Sequence, residues 1–270
     1  MPKLLVCIHC GYTRSWIIRR HHRRCKHCHR EWSPGTQFLV HGLRISREDW
    51  KHLCTVFLAH GTIREVATHG RRSYATAQKV VHIIRAVMTS DVPLSFAGIC
   101  EADETYIGGA WKNKAIHIRR QGSLKGRGTL KQAVFGVACR DQKQVRVWLV
   151  PNCKSKTLFA HIRAVVTPGS SIFTDGLELY RRLPEHGYHH ASVNHDAGEY
   201  VRGNVHTQTI DGFWGLLKTH LDSIGGIRKR FASLFVGEVV WRYNFRHLTR
   251  SEQVNRLIEL LARISGRRYT

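Results

Sequence analysis

Residues 96–109 read FAGICEADETYIGG. Ahead of them apolar residues recur at helical spacing; from Phe96 on, short apolar runs alternate with glycine- and lysine-rich turns, as strands do. The stretch carries three acids. Side chains alternate between the faces of a strand, so Glu101 and Asp103 share one face and Glu104 takes the other. Downstream, KQAVFGVACR (131–140) and QVRVWLV (144–150) read as a strand pair about a turn at Asp141-Gln142. SKTLFAHIRAVV (155–166) is helical, and SIFTDG (171–176) is a strand that ends on an acid. Helical patterns over HTQTIDGFWGLLKTH (206–220), SLFVGEVVWRYNFRHL (233–248) and SEQVNRLIELLARI (251–264) close the chain. Strands first, then alternating helix and strand, predict an α/β core of modest size.

The acids are the chemical feature of this core. Asp103 is expected at the end of the first apolar strand, and Asp175 at the end of SIFTDG. A carboxylate half-buried in such a place is costly unless paired with a cation. Two that converge offer the hard oxygen ligands Mg²⁺ accepts, with water and substrate phosphate completing the shell. A pair of such ions about 3.5–4 Å apart serves phosphodiester displacement. On the later helix Asp211 and Lys218 stand seven residues apart, an advance of about 700°, so they share a face to within about 20°. Acids at strand ends also serve as turn and helix caps. Glu101, Glu104, Asp196 and Glu199 compete with the chosen positions, and spacing alone leaves both readings open.

The 270 residues carry 43 Lys and Arg against 19 Asp and Glu, a formal charge of +24. A surplus this large calls for an anionic partner, and double-stranded DNA is the expected one. No basic amphipathic helix or acyl-anchor motif points to a membrane. No run reaches the roughly 18–20 apolar residues of a span, and MPKLLVCIHC is too short an apolar start for a signal peptide. The expectation is a cytoplasmic, nucleoid-associated protein whose eight cysteines are thiols or metal ligands rather than disulfides.

Cys7, Cys10, Cys25 and Cys28 form two C-x2-C knuckles separated by fourteen residues. Two such knuckles complete a tetrahedral Zn²⁺ site, so residues 1–36 read as a zinc ribbon. Cys54, Cys100, Cys139 and Cys153 sit singly among apolar residues and read as core packing. Residues 37–92 give a helix with Trp50, Leu53, Val56 and Phe57 at helical spacing, then a short helix, a glycine-marked turn and a helix from about Ser73. This is a helix-turn-helix pattern. Arg71, Arg72, Ser73, Tyr74, Thr76 and Gln78 fall near the start of its second helix, where base edges are reached. An ordinary helical hairpin with a basic face is the alternative. Lys125 and Arg127 lie in a basic, glycine-rich loop, RRQGSLKGRG, and are further DNA-contact candidates.

Taken in order after the C-x2-C ribbon, EADETYIGG, FTDGLELYRRL, HDAGEYVRGNVHTQTIDGFWGLLK and WRYNFRH resemble the zinc-ribbon insertion-sequence transposases of the ISXO type. The resemblance runs from about residue 3 to about residue 250. It implies a DDE-type enzyme with a ribonuclease-H-like, mixed-sheet catalytic core over residues 93–248, followed by a C-terminal helix over 249–270. It implies Mg²⁺ or Mn²⁺ held by Asp103, Asp175 and Asp211, with Lys218 on the DNA backbone. The reaction implied is cleavage at the ends of the element followed by strand transfer into target DNA, carried out by a homodimer or larger assembly. The family more often has glutamate where this chain has Asp211. Gln208 stands where many members show asparagine and is a possible companion, while His206 and Tyr200 are site-lining or structural. A zinc-containing DNA-binding regulator and an inactive relic that still binds DNA are the competing readings.

Overall fold

The computed structural model describes all residues except 1–13, 20–21, 33–42, 109–115, 117–130, 176–177, 194–197, 200, 226 and 265–270. By its contacts the chain divides into two units, one of residues 88–247 and one of residues 1–87 with 248–270.

The larger unit is built on five strands, β4 (Ile99–Ile107), β5 (Gln132–Cys139), β6 (Gln144–Leu149), β7 (Ser171–Thr174) and β8 (His189–Ser192), in the order β6-β5-β4-β7-β8. The first three form an antiparallel meander. β7 and β8 then add in parallel on the other side of β4. Parallel addition needs a crossover, and helix α4 (Ser155–Val165) supplies it between β6 and β7. The two sheet faces bury different residues, as the alternation requires. Cys100, Ala102, Phe135 and Val137 join Leu158 and Ile162 of α4 in one core. Val134 and Ala138 join Ile210, Phe213 and Leu217 of α5 (Gln208–Ser223) and Val236 and Val240 of α6 (Ala232–Asn244) in the other. A mixed sheet with helices on both faces, an antiparallel meander on one side of its central strand and parallel strands on the other, is a ribonuclease-H-like fold.

Asp103 is not at a strand end, where the apolar pattern puts it, but at the middle of β4, which runs on to Ile107. The polar run Asp103-Glu104-Thr105 reads as a stop, yet β5 keeps pairing through Ile107↔Gln132, so the ladder hydrogen bonds outlast the apolar pattern. β7 pairs β4 only from Ile99 to Glu101. Asp103 therefore lies just past the last parallel pair, and Asp175 just past the end of β7.

In the other unit, β1 (Ser15–Arg19), β2 (His22–Cys25) and β3 (Glu31–Trp32) form an antiparallel meander. Helix α1 (Arg47–His60) starts at Ser46, whose Oγ accepts the Asp49 N–H at 3.0 Å. It ends at Gly61 in the left-handed conformation (φ 74°), where a glycine avoids the Cβ clash. Trp50, Leu53, Val56 and Phe57 are buried, as their spacing requires. α2 (Ile63–His69) and α3 (Tyr74–Ser90) follow, and α7 (Arg250–Ile264) packs against α1. Cys54, Cys100, Cys139 and Cys153 are all buried. Among the described residues no helix is long and apolar enough to cross a membrane.

Candidate active site

Three elements of the larger unit bring acids to one cavity of about 490 Å³. β4 supplies Asp103 and Glu104, the residue after β7 supplies Asp175, and α5 supplies Asp211 and Lys218. The i, i+7 pair on α5 thus faces the same space as both strand acids. Among the described residues no three His, Cys, Asp or Glu side chains already enclose one point. Carboxylates that face a common space repel one another, which opposes closer approach without a cation.

The placement of Asp211 follows from how α5 is docked. Glu101, two residues before Asp103 and fully buried, points at the start of this helix. Its Oε2 accepts the Ile210 N–H at 2.9 Å, one of the first-turn donors that a helix cannot satisfy itself. Its Oε1 accepts from Arg140 Nε at 2.6 Å. The same guanidinium donates to the Asn204 carbonyl oxygen and Oδ1, and to the His206 carbonyl oxygen and Nδ1, at 2.8–3.0 Å. It also lies over the Phe173 ring of β7, 5.1 Å from the centroid. A guanidinium only donates, so His206 Nδ1 is an acceptor there. The strand that carries the first acid therefore fixes the end of the helix that carries the third. In the same first turn, Thr207 Oγ1 donates to Asp211 Oδ2 at 2.9 Å.

A second contact sets how closely α5 lies on the sheet. Trp214 Nε1 donates to Asp103 Oδ2 at 2.8 Å, and the strand partner of Asp103 is Gly136. A Cβ at Gly136 would stand 2.6 Å from the Trp214 ring and 3.1 Å from Ile210. The glycine makes room for the indole, and the indole orients the aspartate.

The electrostatics separate the acids. The Asp103 carboxyl is pushed up from its usual 3.8 to about 8, first by burial and then by the charges of Asp175 and Glu104, with Asp211 adding a smaller push and Trp214 opposing. On the opposite face, as the alternation predicts, Glu104 accepts a hydrogen bond from the buried Tyr180 hydroxyl at 2.7 Å. Burial and the Glu104 charge raise the pKa of that hydroxyl. The site is thus half-buried, rich in hard oxygen donors and short of positive charge, which is the donor set a Mg²⁺-type ion takes.

The model of the ISXO2-like transposase domain matches residues 95–244, more than half of the chain. The chain belongs to this transposase family. A protein of the transposable element ISH50 from Halobacterium salinarum, itself uncharacterised, is 26% identical over 215 residues, spanning 76% of this chain and 72% of its own. Among solved structures, a chain of the simian T-cell lymphotropic virus intasome in complex with the PP2A regulatory subunit B56 gamma aligns with a TM-score of 0.36 at 14% identity, over 73% of this chain and 69% of that one. The HTLV-2 integrase catalytic core domain in complex with magnesium gives 0.32 at 12%, over 56% and 86%. A chain of the pre-cleavage Mos1 transpososome gives 0.27 at 10%, over 85% and 82%.

No other candidate position of this transposase is among the described residues that line the acidic cavity. Gln208 is the exposed first residue of α5, and its backbone N–H reaches His206 Nδ1 at 3.4 Å. His206 belongs to the Arg140 network. Cys25 is buried at the end of β2, and its Sγ accepts the N–H groups of His27 and Cys28 at 3.3 and 3.4 Å. Cys7 and Cys10 lie outside the described residues, as do Lys125, Arg127, Asp196 and Tyr200. Before α3, Arg72 pairs with Asp49 at 2.7 Å. Ser73 Oγ accepts the Thr76 N–H at 3.3 Å and meets Thr76 Oγ1 at 2.9 Å, so Ser73 caps the helix and Thr76 supports it. Arg71 and Tyr74 are exposed, and Arg72 is half-buried. Arg140, Gly136 and Trp214 carry no signal in the sequence that would mark them for this site. For Glu101, the alternation that puts it beside Asp103 is the available signal.

Proposed function

We propose that this transposase binds the ends of an insertion sequence and catalyses metal-dependent DNA strand cleavage and strand transfer. The observation that carries the reading is the convergence of Asp103, Asp175 and Asp211, from three separate elements, on one cavity where Asp103 is held far above its ordinary pKa. Such a carboxylate is stable only as the acid or beside a cation. Asp103, Asp175 and Asp211 would hold Mg²⁺ or Mn²⁺. When bound, the ions activate the attacking water or hydroxyl and offset the charge on the leaving oxygen. Trp214 keeps Asp103 aimed into the cavity, Thr207 restrains Asp211, and Lys218 offers an ammonium group to a backbone phosphate. The Glu101–Arg140 network positions α5 and touches no substrate.

The N-terminal region supplies DNA recognition in this reading. The two N–H bonds to Cys25 Sγ support a thiolate knuckle, and with Cys7, Cys10 and Cys28 it would hold Zn²⁺ within residues 1–36. Residues 37–92 act as the helix-turn-helix, with Arg71, Tyr74 and Gln78 offered to DNA. Residues 93–248 act as the catalytic core. Synapsis of two element ends requires two copies or more.

The test is purified full-length protein with Mg²⁺ or Mn²⁺ and labelled duplex carrying the DNA that flanks the gene. Metal-dependent nicking, lost in both Asp103→Asn and Asp175→Asn, is the expected result. Nicking that survives both substitutions removes the site assignment. Binding without nicking in any metal would instead support a DNA-binding regulator or an inactive copy.

A further inference from the structure

Beside the acidic cavity the larger unit has a second one, of about 720 Å³. Three lysines line it, Lys131, Lys154 and Lys229, and among the described residues no aspartate or glutamate does. They come from three places in the chain: the residue before β5, the residue before α4, and the turn that leads into α6. The two cavities adjoin along β4, where Glu104 and Thr105 line the acidic one and Tyr106 lines the basic one. They adjoin again at the single turn Glu178–Tyr180, where Tyr180 binds Glu104 and Leu179 lines the basic cavity. Opposite signs of charge therefore stand side by side in one unit.

Three ammonium groups around a concave surface, with no acid among its described lining residues, favour an anion. The α4 N-terminus, which opens on the same cavity with no side-chain cap at Lys154, adds to that sign. The acidic cavity repels phosphates everywhere except where a cation sits, and Lys218 is the one lysine among its described lining residues. A DNA strand whose phosphate reacts there needs its neighbouring phosphates held elsewhere, since a duplex carries one charge per about 1.7 Å of axis.

We propose that the lysine-lined cavity is a phosphate-binding groove for the DNA strand that runs out of the acidic cavity, holding phosphodiester oxygens next to the one that reacts. It rests on the transposase reading given above and extends it to the path of the substrate. The lysines contribute charge and position, and no bond is made or broken by them. Both element-end DNA and target DNA present this chemistry.

The experiment uses the full-length protein in buffer without divalent metal or chelator, and follows binding by fluorescence anisotropy over a range of KCl. One probe is a duplex spanning the DNA that flanks the gene; the other is a duplex of equal length and arbitrary sequence. The triple variant Lys131→Gln, Lys154→Gln, Lys229→Gln should flatten the slope of log Kobs against log salt by about 2 to 3, roughly 0.9 for each phosphate no longer neutralised. The corresponding triple arginine variant should keep the wild-type slope. Lys143→Gln, in the turn between β5 and β6, should leave it unchanged. Flattening on the flanking duplex alone assigns the groove to element ends, and flattening on both assigns it to DNA generally. An unchanged slope on both probes, or an equal effect per lysine from Lys143→Gln, overturns the proposal. Because the readout is binding, the groove can stand if no nicking is ever observed, and nicking by the wild type does not rescue it if the slopes are unchanged.

Discussion

Glu101 and Asp103 lie two residues apart on one face of the same strand, and their surroundings are opposite. Glu101 is fully buried, yet both its oxygens are answered, one by Arg140 and one by the first turn of α5. Asp103 is less buried, yet it shares its cavity with Asp175 and Asp211, feels the charge of the neighbouring Glu104, and accepts a neutral indole N–H from Trp214. A buried charge that is compensated holds the architecture together; one left uncompensated is held for a proton or a cation to come. The same helix carries the consequence of both, since its anchored end fixes where Asp211 stands.

The largest effects expected are on activity at the strand acids of the cavity. Asp103→Asn and Asp175→Asn should each lower metal-dependent nicking on the order of a hundred- to a thousandfold, with no loss of thermal stability by differential scanning fluorimetry. A melting temperature that falls with activity would place these aspartates with the structural acids. At Glu101 the pattern should invert. Arg140→Met leaves that carboxylate buried without its cation and should lose about 3–5 kcal/mol by urea denaturation, whereas adding Glu101→Gln should recover part of the loss. A cost no larger than that of a surface substitution would dissolve the contrast between the two acids. Gly136→Ala drives a methyl against the Trp214 ring and should lose about 1–3 kcal/mol, with a change in tryptophan emission as the local readout.

The pH dependence of stability sharpens the same contrast more gently. The folded pKa of Asp103, about 8, lies above its ordinary 3.8. Over that interval the folded protein holds a proton that the unfolded chain releases, so stability falls as pH rises from about 4 to 8. In metal-free protein Asp103→Asn should remove this slope, and Mg²⁺ should reduce it in the wild type; equal slopes in all three would contradict the assignment. The smallest effect concerns the residue that departs from its family. Asp211→Glu should change the nicking rate within about tenfold, because both side chains present the same hard oxygens, while Asp211→Ala should abolish nicking.

Legibility in the sequence followed the range of the interaction. Alternation on β4, helical spacing on α1 and α5 and the turn between β5 and β6 depend on near neighbours, so periodicity alone placed them. The i, i+7 relation of Asp211 and Lys218 is a property of one helix and needed no tertiary information. The end of β4 is not legible in the same way. The ladder that carries the strand past Asp103 is made with β5, and the residues opposite, Gly136 to Gln132, come from beyond a long connection. The lock at the start of α5 lies further out of reach. Glu101, Arg140 and Ile210 meet only when the sheet and the helix pack, and no local pattern marks Arg140 among the many basic residues of a chain at +24. By itself, then, the sequence determined the elements, the faces of its acids and the family, all of which rest on local spacing or motif order. Which buried carboxylate meets an arginine and which meets other acids was decided only by tertiary structure, because that depends on charges brought together from distant parts of the chain.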